Sequence, residues 1–162
     1  MLENLNKLQL AGADVAIIPC MTAHSFLPEL QKKSPIPIIN ALELVDMHLH
    51  KHYPEIKAVG LLATDGSVKS GVYEKYLSQE VIIPEYSEQK RLMEVIYGEQ
   101  GIKSGNTGAQ IVHELKDIVN NMKNKNINSF VIGFWRLNKH KCSTLHLTPH
   151  LASLNFVSPR LC

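Results

Sequence analysis

The segment DVAIIPCMTAHSF, residues 14–26, sets a thiol, a hydroxyl and an imidazole close together at Cys20, Thr22 and His24. An apolar run stops at Pro19 and delivers these groups one after another. Two readings compete for the thiol. Free cysteine is among the most buried residue types, so Cys20 suits the core of an ordinary α/β domain. It equally suits the rim of an active site. A second polar group, Thr64-Asp65-Gly66-Ser67, closes another apolar run at 58–63. It reads both as a turn with Ser67 as helix cap and as a set of donors at a strand end. Lys103, in GIKSGNTG, is either a solvated loop lysine or a cation facing a ligand.

The elements needed to position these groups are legible. Leu2, Leu5, Leu8 and Leu10 recur at roughly helical spacing, with Gly12 as a stop. Residues 15–18 predict a buried strand. SFLPELQKK predicts a helix capped by Ser25, with Pro28 in its first turn. IPIIN is a second short strand, and residues 41–52 form another helix. The run 58–63 is continuously apolar, as in a parallel strand covered on both faces. Ser67 caps the helix predicted after it, VKSGVYEKYLSQ. VIIP gives a strand, 86–98 and 107–123 give helices, and INSFVIGF gives a fifth strand. In 107–123, Ile111, Leu115, Ile118, Val119 and Met122 fall on one face. Strands alternating with helices imply a parallel α/β fold. Ligands in such folds lie beyond the carboxyl ends of the strands, where both Cys20 and Thr64 to Ser67 are placed.

Composition narrows the classes. Of 162 residues, 44% are hydrophobic and 20% charged, the balance of a globular protein. A net charge of +2 gives no case for nucleic acid or an anionic membrane as partner. No apolar run nears the ~20 residues of a membrane helix, and no signal peptide is visible. Three cysteines, Cys20, Cys142 and Cys162, suit free thiols in a reducing compartment, so a cytoplasmic location is expected. In HLHKH, the spacing of two sets successive histidines about 200° apart on a helix, so His48, His50 and His52 do not converge on one ion and no metal is expected. GLLATDGSVKSG lacks the spacing of a phosphate-binding loop. After Gly133 the pattern breaks. Residues 134–162 hold three of the eight histidines, the only Trp and no acidic residue, and read as foreign to what precedes them.

AGADVAIIPCMTAHSFLPELQKKSPIPIIN resembles the first cysteine motif of the aspartate/glutamate racemase family, usually Pro-Cys-Asn-Thr-Ala-His. VGLLATDGSVKSGVYEKYL resembles that family's Ala-Thr-x-Gly-Thr turn, and PEYSEQKRLMEVIYGEQGIKSGNTG its Ile-Lys-x-Gly segment. The resemblance covers about residues 1–133 and is nearest the aspartate racemase branch. It implies two similar α/β lobes, parallel sheets with flanking helices, holding an amino acid between them. It also implies racemisation without pyridoxal phosphate or any other cofactor, and it allows a homodimer. One thiol removes the α-proton and an opposing thiol returns one to the other face. A thiol suits both roles near neutral pH if its ordinary pKa of ~8.5 is lowered by a helix N-terminus or a cation.

On this resemblance Cys20 is one catalytic thiol, and Thr22, Thr64 and Ser67 bind the substrate carboxylate. Lys103 supplies positive charge, and His24 orients the loop. Met21 stands where the family has a substrate-contacting Asn. The family's first strand and its substrate-binding Arg would lie upstream of Met1, so truncation is expected there. The second motif, Gly-Cys-Thr-Glu, should fall near Gly133, where the sequence reads Gly133-Phe134-Trp135-Arg136. Cys142, in CSTL, is the remaining candidate for the second thiol, about eight residues late. The expected organisation is therefore the remainder of a first lobe at 1–43, a second lobe at 44–133 and a divergent tail at 134–162. That tail is read as out-of-frame or alternative-exon sequence. The alternative is an inactive relative that binds a small carboxylate.

Overall fold

A computed structural model describes residues 1–106, 108–123 and 127–133. The helices are α1 (Leu2–Leu10), α2 (Leu27–Lys33), α3 (Ala41–His52), α4 (Asp65–Lys69), α5 (Val72–Tyr76), α6 (Tyr86–Tyr97) and α7 (Ala109–Lys123). The strands are β1 (Ala16–Ile17), β2 (Ile38–Ile39), β3 (Ala58–Leu62), β4 (Glu80–Ile82) and β5 (Phe130–Ile132). The architecture is α/β with parallel strand pairs and flanking helices, as the alternation of elements predicts. No helix among the described residues is long and apolar enough to cross a membrane.

Contacts divide the chain into two compact units, residues 1–57 with 64–81, and residues 58–63 with 82 onward. In the first, β1 and β2 pair in parallel with Ala16 opposite Ile38 and Ile17 opposite Ile39. Alternation turns Ala16 and Ile38 inward, where Leu5 of α1 and Leu27 of α2 complete a small core. The start of α3 is fixed by Asn40, whose side chain accepts from the Leu42 and Glu43 backbone N–H groups. Such a cap contributes about 1 kcal/mol. Midway along it Asp46 accepts from the Ser78 N–H at 2.8 Å, tying the helix to the segment after α5.

The second unit is built on β3 and β5, parallel, with Gly60 opposite Phe130 and Leu62 opposite Ile132. All five apolar residues predicted for one face of α7 are buried there, with Leu92 and Ile96 of α6. Each contributes about 1.5–3 kcal/mol on leaving water. Arg91 of α6 reaches Glu114 of α7 at 2.5 Å. Gly60 is required for space: a Cβ there would lie 2.5 Å from two ring carbons of Phe130. Gly60→Ala is expected to cost about 1–3 kcal/mol through overpacking, read as a lower urea midpoint at unchanged slope.

Three local expectations are corrected. The strand expected as buried at 15–18 is only Ala16–Ile17, with Ala16 buried while Val15 and Ile17 are exposed, because one side of the short pair faces solvent. Ser25 does not cap α2; its hydroxyl donates to the Thr22 carbonyl at 2.8 Å inside a 3-10 turn, Thr22–Phe26. Ser67 does not cap the next helix either. That helix is two short ones, α4 beginning before Ser67 and α5 beginning after Gly71, whose φ of +60° breaks the run. Glycine takes that left-handed conformation at little cost.

Candidate functional site

Strand β1 ends at Ile17, and three residues later the chain presents Cys20 as an exposed free thiol. The buried-core reading of this cysteine is therefore excluded. Its position is held through its carbonyl, which accepts from the Ala23 N–H at 3.1 Å and from the His24 ring at 3.0 Å.

His24 is fully buried. Its Nε2 lies 3.2 Å from the backbone N of Ala41, the first residue of α3. A backbone N–H only donates, so Nε2 is the acceptor and the ring proton sits on Nδ1, where it donates to the Cys20 carbonyl. The imidazole is thus neutral and engaged at both nitrogens. It anchors the cysteine loop to α3 and has no free nitrogen with which to shuttle a proton.

Three hydroxyls form a chain beside this loop. Thr22 Oγ1 is 2.7 Å from Ser67 Oγ, and Ser67 Oγ is 3.3 Å from Thr64 Oγ1. Ser67 is only 2% exposed, whereas Thr22 and Thr64 are half-buried. The Ser67 N–H is closed on the Thr64 carbonyl at 2.9 Å, so it is the side chains that remain to meet a ligand. The first unit therefore brings Cys20, Thr22, Thr64 and Ser67 onto two neighbouring turns, although 45 residues separate Thr22 from Ser67.

Met21 is half-buried, and its carbonyl accepts from the His24 N–H at 2.9 Å. Its thioether brings no strong donor or acceptor to the loop. Lys103 lies in the second unit, exposed, on a 3-10 turn Ile102–Ser104. Its Nζ is 5.6 Å from the centre of the Tyr97 ring, in cation–π range. Cys142 and the whole of 134–162 lie outside the described residues.

Sequence reasoning missed Tyr73. It is fully buried on α5, and its hydroxyl finds no hydrogen-bond partner among the described residues. Burial pushes its phenol well above the ordinary tyrosine range, and negative charge on Cys20 adds to the effect. Tyr73 thus remains a neutral hydroxyl. Nothing in VYEKY distinguishes it from a core aromatic.

The site thus lies in an α/β domain, where a parallel strand leads into a loop with an exposed thiol, held through its carbonyl, near threonine and serine hydroxyls. Residues 1–133 match the family model described as Asp/Glu/Hydantoin racemase, and the chain belongs to that family. It is 30% identical over 92 residues to the broad specificity amino-acid racemase RacX of Bacillus subtilis (strain 168), a match covering 55% of this chain and 39% of the relative. An aspartate racemase homologue from Pyrococcus horikoshii OT3 shares the fold at a TM-score of 0.68 and 21% identity, over 90% of this chain and 60% of that one. The Picrophilus torridus aspartate racemase does so at 0.64 and 23%, over 82% and 53%. The chain thus spans less than two thirds of the length of each.

Proposed function

We propose that this chain acts on the α-carbon of a free amino acid, aspartate or glutamate, as part of a racemase that needs no pyridoxal phosphate. The observation that carries this reading is the exposed Cys20 thiol on a loop anchored by His24, one turn from the Thr22–Ser67–Thr64 hydroxyls, in a chain of the Asp/Glu/hydantoin racemase family. In the proposed step, ionised Cys20 takes the α-proton and the electron pair of the C–H bond remains on the substrate as a carbanion. A thiol on the opposite face then protonates that carbon, which inverts it. Cys142 is assigned to that second role. Thr22, Thr64 and Ser67 donate to the substrate carboxylate, Met21 contacts its apolar part, and Lys103 meets its acidic side chain. The lobes 1–43 and 44–133, a cytoplasmic location and a homodimer belong to the same proposal.

A second reading has its own observation. The family's Gly-Cys-Thr-Glu is expected at Gly133, where this chain carries Phe134 and Trp135. On that reading the chain binds a small carboxylate without inverting it. Incubation with each enantiomer of aspartate and glutamate in D2O separates the two. α-Proton exchange with inversion supports the racemase. Exchange of one enantiomer without inversion points to Cys20 acting alone. Binding with no exchange supports the second reading, and neither binding nor exchange overturns both.

Ser67→Ala tests the hydroxyl chain. Its loss leaves Thr22 and Thr64 without their shared partner, and each direct bond to a charged ligand is worth about 1.5–3 kcal/mol. The expected result is a rise in KM of about tenfold or more, with a fall of a few degrees in melting temperature from the lost buried hydrogen bonds. An unchanged KM would remove Ser67 from the site.

A further inference from the structure

Tyr73 keeps its whole side chain out of water, yet its hydroxyl meets no hydrogen-bond partner among the described residues. Leaving a buried hydroxyl unpaired is unfavourable, and phenylalanine would fill the same space without that penalty. A polar group kept in this condition calls for a role beyond packing.

Its place in the fold points to one. Tyr73 and Tyr76 are three apart on α5, at neighbouring positions of one helix face. The Tyr76 hydroxyl stands 3.5 Å from the His24 carbonyl, and α5 packs against the 3-10 turn Thr22–Phe26. That face of α5 is therefore turned to the loop that carries Cys20. Burial holds the phenol proton in place, and negative charge on Cys20 adds to the effect. A hydroxyl that keeps its proton remains a donor, and a donor attracts an anion most strongly where water is excluded.

The elements packed on α5 carry few competing groups. On α3 and α5 every acid and base is exposed except the two tyrosines and Asp46, which is bonded to Ser78. On α4, Lys69 is exposed, and Asp65 is half-buried and unchanged in every variant below. His24 is engaged at both nitrogens.

We propose that Tyr73 is a positioning residue for Cys20: once the thiol has lost its proton, the Tyr73 hydroxyl donates to Sγ, directly or through one water. This rests on the reading of Cys20 as an acid–base thiol. The thiol proton leaves to solvent and the phenol keeps its own.

Alkylation of Cys20 by iodoacetamide across pH, followed on the Cys20 peptide by mass spectrometry, tests this without any substrate. In Tyr73→Phe the midpoint of the rate profile is expected to move up by about one unit or more, the effect of one hydrogen bond to a charged group. The melting temperature should hold or rise, because the hydroxyl removed has no partner among the described residues. Tyr76→Phe, on the same helix, should leave the midpoint in place. An unmoved midpoint in Tyr73→Phe overturns the proposal, as does an equal shift in Tyr76→Phe. A clear fall in the melting temperature of Tyr73→Phe also overturns it, since the hydroxyl would then be bonded in the resting protein. A shifted midpoint in a chain that exchanges no α-proton would leave the Tyr73 bond standing and remove the racemase reading alone.

Discussion

Cys20→Ser should remove α-proton exchange from the substrate while leaving the protein folded. The hydroxyl is nearly isosteric with the thiol but far less acidic, so it makes a poor base near neutral pH. Positioned acid–base groups contribute about 10²–10⁴-fold, and that is the expected loss in the rate of exchange into D2O. Stability should change by less than about 0.5 kcal/mol, because the side chain is exposed and the loop is held by the Cys20 carbonyl, which serine retains. Substrate binding should persist, since Thr22, Thr64 and Ser67 are untouched. A variant that binds and exchanges like the parent would show that the family's first cysteine motif survives here without its chemistry. A variant that exchanges normally but loses inversion would instead place Cys20 on the proton-returning side.

How much of this arrangement the sequence discloses depends on the range of the interaction that fixes each part. The buried face of α7 is legible because five apolar residues at helical spacing must share one side, and the same holds for the continuous run that becomes β3. Cys20 is legible as a strand-end residue for the same reason. What fixes Ser67 is different in kind. A serine after Asp-Gly looks like a cap, and only the approach of Thr22 from 45 residues away turns it into the centre of a hydroxyl chain. Gly71 similarly divides what reads as one helix, through a positive φ that composition does not announce. Tyr73 left no sequence signal at all, because a buried aromatic hydroxyl without a partner among the described residues looks like any core tyrosine until the packing is known.

His24→Leu should be the most destabilising change in the first unit. The imidazole is fully buried and satisfies two backbone groups at once, the Ala41 N–H and the Cys20 carbonyl. Leucine fills much of the volume but offers neither bond. The carbonyl keeps its bond from Ala23, so the main loss is the orphaned N–H at the start of α3. An unsatisfied buried donor costs about 1–3 kcal/mol. Adding imperfect packing of the new side chain brings the expected cost to about 2–4 kcal/mol. For a chain of this size the melting temperature should fall by about 5–15 °C.

The same substitution should slow exchange at Cys20, because the loop loses its tie to α3. That slowing comes from positioning, and a pH profile tells it from proton shuttling. If His24 only positions, the variant is slower at every pH with the shape of the profile unchanged. If it carries protons, the profile loses a limb near the ordinary histidine value of about 6.5. His24→Asn offers a further discrimination, since its amide sets a donor close to where Nδ1–H stands and cannot serve as an acid or base. Partial recovery of rate in Asn over Leu would establish that the Cys20 carbonyl bond is what matters. Equal rates in the two variants, with an altered profile, would return His24 to the chemistry.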